Sequence, residues 1–176
     1  MRNENRLLFK ALSSLLRFPD DDLLGILPGI QAALQGLPVD PHRRRCEVFI
    51  DYLRKSSPLQ LQEEFSRLFD FSPETTLNIT YHRCGDRRER GMALAQLSGL
   101  YRDSGYEIVG RELPDYLPLV LEFLSVCPEE ACLKIMKESM PQVQRLAQRL
   151  KTKHSPYAAL IDAIFELFVQ PDCPER

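Results

Sequence analysis

The residues with the most chemical potential in this 176-residue chain are its five cysteines and three histidines. They are Cys46, Cys84, Cys127, Cys132 and Cys173, with His42, His82 and His154. His82-x-Cys84 is the one tight pair. A metal site needs a second pair at ligand spacing or a Cys-x-x-Cys, and neither is present, so no metal is expected. The same pair could set a thiolate beside a base, but residues two apart on a helix or strand point in different directions. No Gly-x-Ser-x-Gly elbow and no Ser-x-x-Lys pair offers another nucleophile. With only 8 glycines, the chain has no Gly-x-Gly-x-x-Gly or Gly-x-x-x-x-Gly-Lys loop to cradle phosphates. The expectation is a protein without catalytic residues and without a cofactor of its own. A cysteine- or metal-dependent enzyme at His82 and Cys84 is the competing reading from another class. An odd, scattered set of cysteines argues against a disulfide scaffold and for a reducing, cytoplasmic compartment.

Charge says more when read locally. The net charge of −2 excludes a strongly basic nucleic-acid binder. Over 83–90, four arginines against two acids leave +2; over 107–130, six acids against Arg111 leave −5. An acidic face beside an apolar surface attracts the Arg or Lys side chains of a peptide. A merely solvated face has the same composition.

These residues must be positioned by helices. Leu8, Leu12 and Leu15 share one face of a first helix over about 3–17. A second starts near Asp20, bends or breaks at Pro28 and ends at Gly36. Asp40-Pro41, Ser57-Pro58, Cys127-Pro128 and Ser155-Pro156 read as four further helix starts, because Pro suits the first turn. Ser57-x-x-Gln60 fits a capping box. Tyr116 to Val126 is apolar almost all round and reads as a central helix. Val143, Leu146 and Leu150 form a stripe after an expected break at Pro141. No alternating strand or hairpin is found, so the fold class is all-α, a helical bundle in a single domain over 1–176. The segment Phe71–Asp86 carries no helical stripe and is long for a connection, which marks it as a functional loop. The run Leu23–Val39 is interrupted by Gly and Pro and is no membrane span, and the N-terminus lacks signal-peptide character.

The stretch FSRLFDFSPETTLNITYHRCGDRRERGMALAQLSGLYRDSGYE, followed by ELPDYLPLVLEFL, resembles the NarJ-type chaperones of respiratory nitrate reductase. These belong to the wider TorD- and DmsD-like redox-enzyme maturation proteins. The likeness is dense from Glu64 to Leu124 and looser over the flanking helices, and YHR-x-GD-x-RERG with ELPDYLP marks the NarJ branch. It implies an all-helical, non-catalytic cytoplasmic chaperone of the TorD-like type. Its implied partner is the immature catalytic subunit of nitrate reductase, bound through the N-terminal segment and a second surface. The chaperone keeps that subunit competent for molybdenum cofactor insertion and delays membrane assembly. Neither nucleic acid nor stable membrane association is implied. The alternative client is another molybdoenzyme with a twin-arginine leader. Monomers and helix-swapped dimers are both compatible with the resemblance.

The resemblance also implies peptide-binding positions: Phe65, Leu68 and Phe69, then Pro73 at the head of the long loop, then Glu112, Pro114 and Asp115. Tyr116 stands where many relatives of the other branches have His, and Phe65 where they favour Trp. Asp70, His82 and Glu122 complete the candidate set. Phe65, Leu68, Phe69 and Tyr116 would line a groove for a helical segment, and the carboxylates would meet its basic residues. Plain core is the other reading of the three apolar positions, since their spacing suits both. On this reading Asp115→Lys weakens peptide binding without unfolding the domain.

Overall fold

The computed structural model describes residues 1–169, and Cys173 lies outside them. It places helices α1 (Asn3–Leu15), α2 (Asp21–Gln35), α3 (Pro41–Lys55) and α4 (Pro58–Phe65) first, α4 running on as a π-helical turn over Ser66–Asp70. The remainder are α5 (Tyr81–Cys84), α6 (Arg88–Asp103), α7 (Leu117–Leu124), α8 (Glu129–Thr152) and α9 (Ala158–Val169). No strand occurs among the described residues, and none of their helices is long and apolar enough to cross a membrane.

The starts follow local chemistry. Asp20 accepts from the Leu23 amide at 2.9 Å and Asp40 from the Arg43 amide at 2.7 Å, each satisfying a donor that the helix leaves free. Ser57 and Gln60 form the expected capping box. At Ser155-Pro156 the helix begins later than expected. The Ser155 hydroxyl takes the Tyr157 amide at 3.2 Å and closes a turn, so α9 starts at Ala158.

Neither interior proline interrupts its helix. Buried Leu23 and Leu27 precede Pro28 and Leu34 follows it on one face. Ile135 and Met136 precede Pro141, and Val143, Leu146 and Leu150 follow. Each proline removes one hydrogen bond, and continuous packing on both sides outweighs that loss. The expected break at Pro141 is therefore corrected.

Helix α8 packs on α9, α1 on α7, and α3 on α9. Their buried faces meet in one hydrophobic cluster. At its centre Tyr157 stands 4.8 Å from the Phe49 ring and 5.0 Å from Phe69, with Phe65 4.9 Å from Phe69. Centroid separations of this size are favourable for aromatic pairs.

The long segment between α4 and α6 is well anchored. The Thr75 hydroxyl bonds to the Leu68 carbonyl. Leu77 and Ile79 are buried, and an antiparallel bridge joins Asn78 to Tyr116 through Ile79 N to Asp115 O at 3.0 Å and Leu117 N to Leu77 O at 2.8 Å.

Cys127 and Cys132 are joined as a disulfide across the Pro128 corner, with Cα atoms 6.2 Å apart. Scattered spacing gave no reason to expect it. A closure of five residues pins one helix start and is no framework for the fold.

Candidate functional site

A groove of about 760 Å³ lies between α1, α7 and the connection after α6. Its position follows from the two faces of α7. One face is buried on α1, where the Ser13 hydroxyl donates to the Pro118 carbonyl at 2.7 Å. The other presents Leu119, Glu122, Phe123 and Val126 to the groove. Gly105, at φ +84°, turns the chain back after α6, a conformation that side chains with a Cβ rarely adopt. Tyr106 then packs edge-on against Phe123 at 5.4 Å and donates to the Val126 carbonyl at 3.2 Å. Ile108 and Val109 complete that wall, and Val109 is 94% exposed, an apolar side chain held out at the rim.

Two basic side chains, Arg6 and Lys10, and two acidic ones, Glu107 and Glu122, line the groove. Lys10 and Glu122 pair at 2.5 Å, both largely exposed. The Arg6 guanidinium is spent on the Ser125 and Cys127 carbonyls, at 3.3 and 2.9 Å. Glu107 lines the same groove and has no charged partner among the described residues. The groove thus combines an apolar floor with one carboxylate, Glu107, that is open to a cation, and a second, Glu122, held by Lys10.

The positions marked from sequence do not converge on one site. Phe65, Leu68 and Phe69 are 3%, 1% and 4% exposed and belong to the core, so they line no groove. Asp115 is 0% exposed in the unbound chain. Its Oδ2 accepts from the Thr80 amide at 3.1 Å and the Thr80 hydroxyl at 2.5 Å, with the Arg90 guanidinium at 3.7 Å. Asp115 therefore ties the long segment and the start of α6 to the ELPDYLP turn, which explains physically why those two motifs go together. Pro114 serves the same turn, its carbonyl accepting from the Tyr101 hydroxyl at 2.8 Å.

Asp70 and Glu112 lie near enough to Tyr116 for their charges to act on it. Burial holds the Tyr116 hydroxyl well above the usual phenol range, and Glu112 and Asp70 push it the same way against Arg17. Tyr116 is half-buried, while Asp70 and Glu112 are exposed. Pro73 is exposed in the turn after α4, and only Glu122 of the marked residues lies in the groove. The groove's other members were missed because Leu7, Tyr106, Ile108 and Leu119 look like ordinary apolar residues. The one available signal was Glu122, a lone carboxylate in an otherwise apolar helix.

His82 sits under α8. Its Nε2 lies 2.9 Å from the Thr76 carbonyl, an obligate acceptor, so Nε2 carries the hydrogen and Nδ1 accepts from Arg149 at 3.2 Å. With both nitrogens engaged, His82 is no base for Cys84, which is buried. Among the described residues no three His, Cys, Asp or Glu side chains group to hold a metal. Burial also pushes the Cys46 thiol up to about 12, so it stays protonated.

Burial lowers the His82 pKa from its ordinary value, and Arg149 and Arg145 lower it further, against the Thr76 carbonyl and Asp115. The unfolded chain therefore takes up this proton before the folded one does, and stability falls as pH drops below about 6.5. Urea denaturation at successive pH values should show that fall. In His82→Gln the slope should be shallower, and an unchanged slope would remove His82 as its source.

Known proteins place this architecture. A crystal structure from Archaeoglobus fulgidus, described as a redox enzyme maturation protein, superposes with a TM-score of 0.68 over 93% of both chains at 22% identity. The all-helical fold is thus shared with that redox enzyme maturation protein. Residues 39–163 match the family model of the nitrate reductase delta subunit. The NarJ protein of Bacillus subtilis (strain 168) is 35% identical over 161 residues, covering 92% of this chain and 88% of that one. The protein of Escherichia coli (strain K12) named nitrate reductase molybdenum cofactor assembly chaperone NarJ is also 35% identical, over 89% of this chain and 67% of its own length. The chain belongs to the nitrate reductase delta subunit family, in its NarJ-type branch.

Proposed function

We propose that the chain is a dedicated assembly chaperone for the catalytic subunit of a respiratory nitrate reductase. It acts in the cytoplasm, receives the N-terminal segment of the immature subunit in the groove, and keeps the subunit competent for molybdenum cofactor insertion before membrane assembly. The observation that carries this reading is an open apolar groove with carboxylates on its rim, in a chain of this family.

An amphipathic segment would lay its apolar side chains on Leu119, Phe123 and Tyr106 and bring a basic residue to Glu107 or Glu122. Each Leu-sized anchor contributes roughly 1.5–3 kcal/mol, and ordering the peptide offsets part of the sum. The result is a reversible affinity, which suits a protein that must release its client.

Calorimetric titration of the full chain with a synthetic N-terminal peptide of its own host's nitrate reductase catalytic subunit tests the reading. Binding with a negative heat-capacity change is expected. Glu107→Lys with Glu122→Lys should weaken it by roughly tenfold or more through like-charge repulsion. No binding, together with no co-purification of the subunit, would sink the proposal. Co-purification of another molybdoenzyme would reassign the client.

A further inference from the structure

Arg83 and Arg87 line one concavity beside α5, and α8 delivers Arg145 and Arg149 to the same short helix. His82 is the meeting point: Arg145 donates to its carbonyl at 3.1 Å, and Arg149 reaches its ring at 3.2 Å. Arg87 lies over the same short helix, donating to the Cys84 and Arg83 carbonyls at 3.0 and 3.3 Å. Arg149 also holds the Glu74 carbonyl at 2.7 Å.

These bonds employ the guanidinium donors but do not neutralise their charge. Among the described residues no carboxylate comes within 4.0 Å of any of these four arginines. Asp86, the acid nearest in sequence, faces Arg90 at 3.9 Å and the Tyr81 hydroxyl at 3.5 Å instead. Arg83 and Arg87 rim a concavity of about 400 Å³ with an apolar floor of Cys84, Met92 and Ala93, against a single acid, Glu89. Met92 is 58% exposed, over buried Cys84 and Ala93.

We infer that this face docks an acidic segment of a polypeptide partner. Its carboxylates would take the planar guanidinium forks, which match a carboxylate geometrically, and one apolar side chain would cover Met92. A nucleic acid fits less well. The apolar floor offers nothing to phosphates, and a long polyanion would extend from the patch over a molecule of net charge −2. The inference stands without the client assignment, because the concavity shares no lining residue with the groove. Both surfaces can be filled at once.

Fluorescence anisotropy of the full chain with a fluorescein-labelled peptide of repeating Glu-Glu-Leu tests it, beside a Gln-Gln-Leu counterpart and labelled oligothymidylate. The acidic peptide should bind, its affinity should fall with added salt, and the glutamine peptide should not bind. Arg83→Glu with Arg87→Glu should weaken binding by roughly tenfold or more. Arg83→Gln with Arg87→Gln, checked by a circular dichroism melt, gives the same reading if the reversed charges disturb α5. Three results would overturn the inference: no binding at low salt, equal binding by the arginine variants, or arginine-dependent binding of oligothymidylate at equal strength. Arginine-dependent dimerisation seen by light scattering would likewise overturn it, by making a second copy the occupant.

Discussion

Asp115→Ala should lower the stability of the folded chain by about 3–5 kcal/mol, the cost of breaking a buried charged network from one side. For a chain of this size that is a fall in melting temperature on the order of 10 °C. The carboxylate is fully buried and accepts two bonds from Thr80 beside Arg90. Removing it leaves the Thr80 amide and hydroxyl without an acceptor and Arg90 without its buried counter-charge. Asp115→Lys should do worse, since it confronts Arg90 with a second cation and should yield little folded protein. Thr80→Val, which deletes only the hydroxyl donor, should cost less than Asp115→Ala. Circular dichroism melts of the three variants check the order. An Asp115→Ala melt equal to wild type, with groove-peptide binding lost, would return Asp115 to the role of a peptide contact.

Phe65→Ala should cost about 3–5 kcal/mol, the usual range for an aromatic ring removed from a packed core. Phe65 stands 5.5 Å from the Phe18 ring, 4.9 Å from Phe69 and 6.0 Å from Tyr157, so its loss opens a void against three aromatic neighbours. The deficit should register as a lower urea midpoint with an unchanged slope. The protein that remains folded should bind the groove peptide as wild type does, because Phe65 does not line the groove. The opposite pattern, an unchanged midpoint with binding lost, would make Phe65 a peptide contact.

These two residues show where sequence reading stops. Phe65, Leu68 and Phe69 are spaced three and four apart, which puts them on one helix face. Whether that face meets another helix or a client depends on the neighbours, and here Phe18 and Tyr157 fill the space. Asp115 invites the same error: a carboxylate in a helix-start motif reads as exposed. The bridge between Asn78 and Tyr116 closes over it and makes it an internal strut. The prolines err in the opposite direction. Local geometry favours a stop at Pro28 and Pro141, and packing along α2 and α8 overrides it.

What the sequence determined alone is what short-range chemistry and motif content govern. Asp20, Asp40 and the Ser57–Gln60 box start helices because they satisfy amides within three residues. Apolar periodicity made the fold helical, and the block from Glu64 to Leu124 carried the family. Only the tertiary structure decided which apolar face became core and which became groove. It also decided which carboxylate was buried and where the charges gathered. His82 and Arg145 are 63 residues apart in the chain and meet because α8 passes over α5. The reason is range: capping acts within one helical turn, whereas burial and electrostatic fields are set by whatever the fold brings alongside.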